Sequence, residues 1–204
     1  MSLRRGIRNF TREKMEARTK RIVITGGPGT GKTVLVEAQE SRGYFCFHEI
    51  IREMTQEAKN LETTNPMVNP LAFVSDPLAF NKRILEGRLK QFRRAEQVQQ
   101  PFVFYDRGIP DIIAYMDYFD QVYDGDFTGP CQQLRYDLAV VLPPWKEIYR
   151  HDEERLESYG QAVQIHECLL RSYRDCGYEV FTLEPGTVEA RVERLLERIH
   201  GWDG

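Results

Sequence analysis

The chain has 204 residues, of which 41% are apolar and 29% charged, and its formal net charge is −3. That length suits one well-packed domain, and no stretch approaches the roughly 20 apolar residues that a membrane-crossing helix needs. A mildly acidic balance argues against a general nucleic-acid binder, which requires a clustered positive surface.

Before the first strand lies one basic cluster, in which Arg4, Arg5, Arg8, Arg12, Lys14, Arg18, Lys20 and Arg21 outnumber Glu13 and Glu16. The first 20 residues read as a solvated leader, with contact to an anionic surface as the alternative, ahead of a single domain over residues 21–204. The leader shows neither a signal-peptide core nor a transit-peptide pattern, so a cytoplasmic location is expected. Cys46, Cys131, Cys168 and Cys176 lack C-x-x-C spacing and the four histidines are scattered, which favours reduced thiols over a zinc site.

Apolar runs then alternate with helical patterns. Ile22–Thr25 reads as a strand followed by a helix from about Lys32 to Ser41, and Tyr44–His48 as a second strand followed by a helix through Glu49–Leu61. Beyond an irregular stretch with Asn65-Pro66 and Asn69-Pro70, a long helix is expected from about Pro77 to Gln99. Phe102–Tyr105 is the third strand and Ile112–Phe119 a helix; Leu138–Leu142 is the fourth strand, closed by Pro143-Pro144. A helix to about Asp175 leads to a fifth strand, Tyr178–Leu183, and an amphipathic helix capped by Thr187 spans Val188–Ile199. Five strands alternating with helices imply an α/β fold with a parallel sheet covered on both faces.

Between the first strand and the first helix lies Gly26-Gly27-Pro28-Gly29-Thr30-Gly31-Lys32-Thr33, which fits G-x-x-x-x-G-K-[ST] in the strand–loop–helix setting that this motif requires. Glycines let backbone N–H groups crowd a polyphosphate, and the helix start adds partial positive charge. Residues 26–33 and Val34 are therefore the expected nucleotide contacts. Lys32 bridges the β- and γ-phosphates, and Thr33 offers its hydroxyl to Mg²⁺.

The third strand delivers Asp106 to the carboxyl edge of the sheet, where α/β sites lie. Asp106 is expected to be the Mg²⁺ carboxylate or the base on an acceptor hydroxyl. Arg107 follows it, where a hydrolytic ATPase commonly has a glutamate. An arginine grips phosphate or substrate and cannot serve as a base, which favours transfer over hydrolysis. Glu49 and Arg52, three apart on one helical face, are a candidate base and a substrate clamp. Asp111 is placed with Glu49, Arg52 and Arg107 among the acceptor contacts, and Phe73 and Phe80 are either pocket lining or core. Arg150 and Arg155 flank an acidic segment after the fourth strand, where a closing segment would bring them over a transferring phosphoryl group. The Pro185-Gly186 turn after the fifth strand is read as a wall against an adenine base.

Together, "GGPGTGKT", "DRGIPDIIAY", the His48–Arg52 H-E-x-x-R pattern and the closing R-V-x-x-L-L helix resemble a P-loop kinase family. It is the one that contains the ribosylnicotinamide kinase domain of the bacterial NAD-metabolism regulator, often filed with AAA-type ATPase domains. The resemblance covers about residues 21–200. It implies a P-loop NTPase three-layer sandwich of nucleoside- and nucleotide-kinase type, with five parallel strands in the order 2-3-1-4-5. It also implies Mg-ATP as donor, Asp106 and Arg107 at the transfer site, and a lid with Arg150 and Arg155. The expected function is transfer of the γ-phosphate of ATP to a small hydroxyl-bearing metabolite of nucleoside or riboside type. The alternatives are a nucleotide-dependent switch and an ATPase acting on a protein or membrane partner.

Overall fold

In the computed structural model the described residues are 18–51, 76–149 and 157–201. Most of the basic leader, Arg52, Phe73, Arg150, Arg155, the two Asn-Pro pairs and most of the helix expected through Leu61 lie outside them.

Within the described residues, five parallel strands form one sheet in the order β2-β3-β1-β4-β5. They are β1 (Lys20–Gly26), β2 (Phe45–Phe47), β3 (Phe102–Asp106), β4 (Leu138–Leu142) and β5 (Val180–Thr182). The central strands are continuous apolar runs because helices cover both faces. Alternate residues of each strand serve opposite cores. Ile22, Ile24, Phe104 and Val140 pack against Leu35 and Val36 of helix α1 (Lys32–Glu40) and against Val192 and Leu195 of the last helix. Val23, Val103 and Tyr105 face Ile84, Leu85 and Phe92 of helix α2 (Pro77–Arg94), and Ile112 and Ile113 of helix α3 (Pro110–Tyr118). Phe80 belongs to this second core.

Helix α2 starts at a capped proline: the Asp76 side chain accepts from Ala79 N at 2.9 Å and Pro77 takes the first helical position. A short 3₁₀ turn, Ala95–Gln97, completes the segment. Helix α4 (Gly125–Gln133) has no counterpart in the sequence reading, because two glycines and Pro130 weaken its helical signal. Phe127 and Cys131, four apart and fully buried, hold it onto the core. Helix α5 (Tyr159–Asp175) begins with a capping box between Ser158 and Gln161. It packs Ile165 and Leu169 with Ala114 of α3. Helix α6 (Val188–His200) is capped by Thr187 as expected, with Ala190 N donating to Thr187 Oγ1 at 3.2 Å. No helix among the described residues is long and apolar enough to cross a membrane.

Register places the site. Ile24 of β1 pairs with Asp106, and Gly26 pairs with Leu142. The β1–α1 loop and the residues after β3 therefore leave the sheet side by side at its carboxyl edge.

Candidate active site

The β1–α1 loop is closed on itself by short internal bonds. Thr30 Oγ1 donates to Gly27 O at 3.0 Å, and Lys32 Nζ donates to the same carbonyl at 3.0 Å. Helix α1 starts from Gly31 at φ 79 with no side-chain cap, which leaves its first N–H groups facing the loop. Lys32 is buried, and desolvation, helped by Arg107, lowers its pKa from 10.5 to about 7; Asp106, Glu49 and Asp111 pull the other way. Charges distant in the sequence thus converge on this one ammonium group.

Across from the loop, the turn after β3 is built around a left-handed arginine. Arg107 has φ 74, which costs a non-glycine residue about 1–2 kcal/mol. Its N–H donates to Ile24 O at 3.0 Å. Its guanidinium pairs through Nε with Glu49, reaches Asp111 Oδ1 at 3.2 Å and stands over the Tyr115 ring at 5.0 Å. Arg88 of α2 grips Glu49 Oε1 at 3.3 Å and donates to the Gly108 carbonyl, so Glu49 sits between two arginines. Gly108 is required by space: a Cβ there would lie 2.6 Å from the Tyr173 hydroxyl.

Asp111 holds this turn together. It is fully buried. Oδ1 accepts from Thr25 Oγ1 at 2.6 Å and from Arg107, and Oδ2 accepts from Gly108 N at 2.9 Å and from the Tyr173 hydroxyl at 2.7 Å. Burial alone would raise its pKa, but Arg88, Arg107 and the Thr25 and Tyr173 hydroxyls hold it below the usual carboxylate range. With no exposed surface and both oxygens engaged, Asp111, expected among the acceptor contacts, here holds Arg107 from behind.

Residues 21–191 match the AAA domain family, which is most of the chain. This chain belongs to the AAA domain family. Its fold is similar to thymidylate kinase from Candida albicans, at TM-score 0.64 and 16% identity, over 90% of this chain and 92% of that one. Deoxyadenosine kinase from M. mycoides gives TM-score 0.61 at 16% identity, over 89% of this chain and all of that one. The NadR protein in complex with NR gives TM-score 0.64 at 22% identity, over 91% of this chain and 52% of that one. Among curated proteins, a nucleotide-binding protein of Pasteurella multocida is 25% identical over 87 residues. This AAA domain spans 43% of its own length in that match and 30% of the relative's.

In this AAA domain, Gly26, Gly27, Pro28, Gly29, Thr30, Gly31, Lys32 and Thr33 form the loop and helix start, and Val34 is half-exposed beside them. Asp106 is buried at the end of β3, next in register to β1. Glu49 and Arg107 are brought together as an ion pair. Pro185 and Gly186 follow β5, and a Cβ at Gly186 would lie 3.9 Å from Arg191 Cγ of α6. Arg88, Thr25, Tyr115, Tyr173 and Arg191 are additions from the structure. Tyr115 and Arg191 stand inside the "DRGIPDIIAY" and R-V-x-x-L-L motifs, whereas Thr25, Arg88 and Tyr173 reach the site only through tertiary packing from other elements. Thr33 and Asp106 offer a hydroxyl and a carboxylate, the hard oxygen donors that suit Mg²⁺ when phosphate and water supply the rest.

Proposed function

We propose that this AAA domain is a cytoplasmic small-molecule kinase that transfers the γ-phosphoryl group of Mg-ATP to a hydroxyl of a nucleoside- or riboside-like metabolite. The observation that carries the reading is the locked Glu49–Arg107 pair, set beside the phosphate loop with Arg88 and Asp111 holding it in place. Hydrolysis calls for a carboxylate that orients water after Asp106. Here that place holds a guanidinium that burial and neighbouring groups keep fixed, and such a group binds substrate or phosphate oxygens.

In this reading, the loop N–H groups and Lys32 hold the polyphosphate, and Thr33 and Asp106 would hold Mg²⁺, which would supply charge neutralisation at the phosphoryl oxygens. Glu49 faces the acceptor hydroxyl and takes its proton as the acceptor oxygen bonds to the γ-phosphorus; the β–γ bridging oxygen leaves with ADP. Arg107 keeps Glu49 in place and presents its remaining N–H groups to acceptor or phosphoryl oxygens. Arg52, Arg150 and Arg155 are assigned to the acceptor and to the closing segment by their positions in the sequence.

The test is incubation of the full chain with Mg-ATP and pooled nucleosides, ribosides and vitamin-like alcohols, with mass-spectrometric search for a phosphorylated product. A product that forms with wild type and drops about 10²-fold or more with Asp106→Asn supports the kinase. Acceptor-independent release of phosphate at the same rate in every pool, with no product, transfers the assignment to an ATPase or switch.

A further inference from the structure

The closing R-V-x-x-L-L helix has no role in the chemistry above, yet its arginine does not behave as a surface residue. Val192, Leu195 and Ile199 form the buried stripe of α6, and Arg191 lies on that stripe, four residues before Leu195. It is 5% exposed. Nη1 donates to the Thr30 carbonyl of the phosphate loop at 3.1 Å, and the Trp145 ring centroid lies 6.0 Å from its Cζ. A Cβ at Gly31 would stand 2.9 Å from Nη1 and 3.9 Å from Ile148 Cδ1, so the guanidinium is pressed onto the start of α1.

Two features of that contact point to an anion. Among the described residues no acidic side chain pairs with Arg191, and its buried Nε has no hydrogen-bond acceptor. A buried cation without a counter-charge is costly and persists where a ligand supplies the charge. At the same turn α1 begins with no side-chain cap, so the first N–H groups of that helix carry partial positive charge. Lys32 does not cover this side, since its ammonium is turned to the Gly27 carbonyl.

We propose that Arg191 is a second phosphate-binding cation, which contacts the nucleotide's polyphosphate from the Thr30–Gly31 side of the loop and so makes the docking of α6 depend on nucleotide occupancy. The proposal rests on the reading of the loop as a nucleotide site. It assigns to the last helix a positioning role for the donor; transfer itself stays with the groups around Asp106. Charge-assisted bonds from a guanidinium to phosphate are specific for the anion and indifferent to the base.

The experiment is calorimetric titration of the full chain with Mg-ATP and, separately, with inorganic tripolyphosphate, for wild type, Arg191→Gln and Arg191→Lys, with melting of each protein alone. Arg191→Gln should weaken both probes by the same factor, about tenfold or more, and Arg191→Lys by less. Loss of Mg-ATP affinity with tripolyphosphate unchanged would overturn the phosphate contact in favour of a base contact. Lower melting temperature with both affinities unchanged would overturn it in favour of a purely structural bond to Thr30. If Arg191→Gln does not fold, Arg191→Lys decides: equal, smaller losses on both probes support the proposal and unchanged affinities reject it. Wild type that binds neither probe fails the nucleotide reading itself, whereas wild type that binds both, with variants that bind equally well, fails Arg191 alone.

Discussion

Lys32 and Arg191, at the phosphate loop, are buried cations hydrogen-bonded to backbone carbonyls, those of Gly27 and Thr30. Arg88 and Arg107, around the turn after β3, also reach the carbonyls of Gly108 and Gly26 but are locked in addition by the carboxylates of Glu49 and Asp111. The two regions share one sheet edge and the same kind of charge, but they treat it differently. A site that receives a mobile anion keeps its positive charge available until the ligand arrives. A site that must present one fixed geometry completes its pairing inside the protein, so that no reorganisation is needed at the moment of reaction. Substitutions should therefore have opposite signatures on the two sides.

The largest effect is expected on the paired side. Asp111→Asn leaves Arg107 and the Tyr173 hydroxyl facing a neutral amide in a fully buried network, and the cost should be about 3–5 kcal/mol of unfolding free energy, read by chemical denaturation. A loss below about 1 kcal/mol would mean that Asp111 is not the centre of that network.

Lys32→Met should do the reverse. It removes a desolvated ammonium, so the protein alone should melt no lower than wild type. The stabilisation by Mg-ATP, about 2.7 kcal/mol at a hundredfold excess over Kd, should disappear. A variant that melts lower and still responds to nucleotide would break the contrast.

Titration sharpens the same point. The unfolded chain holds the Lys32 proton up to about 10.5, while the folded protein releases it above about 7. Between those values the unfolded state binds more protons, so the stability of wild type relative to Lys32→Met should rise with pH, by up to about 1.4 kcal/mol per unit, and be flat below pH 7. Polyphosphate affinity should move the other way, because binding demands the protonated form. It should fall by up to about tenfold per unit above pH 7 in wild type and stay level in Lys32→Met.

The smallest effect belongs to the edge of the network. Tyr173→Phe removes one of the four hydrogen bonds on Asp111 and should cost about 1 kcal/mol, with Arg107 still held by its other partners.

How far the sequence reveals the molecule follows the same division. The donor side is written contiguously: one octapeptide between a strand and a helix start carries the loop, and apolar runs of four or five residues mark β1, β3 and β4. The strand order is implied by the family resemblance, and the register is visible only in the sheet itself. On the paired side, Glu49, Arg107 and Asp111 stand out in local motifs, but Thr25, Arg88 and Tyr173 join them only through packing between distant elements. Asp111 illustrates the limit. Its position four residues after Arg107 is visible in the sequence, but only its complete burial and its four bonds distinguish a support from a substrate contact. Arg191 was hidden for a related reason: a helical arginine reads as solvent-facing until its stripe is seen to be the buried one. Helix α4 was missed because glycine and proline dominate local propensity, while two buried side chains decide the outcome.

The most direct measurement compares transfer rate and ATP affinity side by side in Glu49→Gln. If Glu49 belongs to the acceptor side, acceptor-dependent phosphate transfer should fall by about 10²-fold or more while the dissociation constant of Mg-ATP stays within about twofold of wild type. An equal loss of ATP affinity, or a wild-type protein that binds Mg-ATP and transfers its phosphate to no hydroxyl-bearing metabolite, would contradict the assignment of this edge of the sheet to phosphoryl transfer.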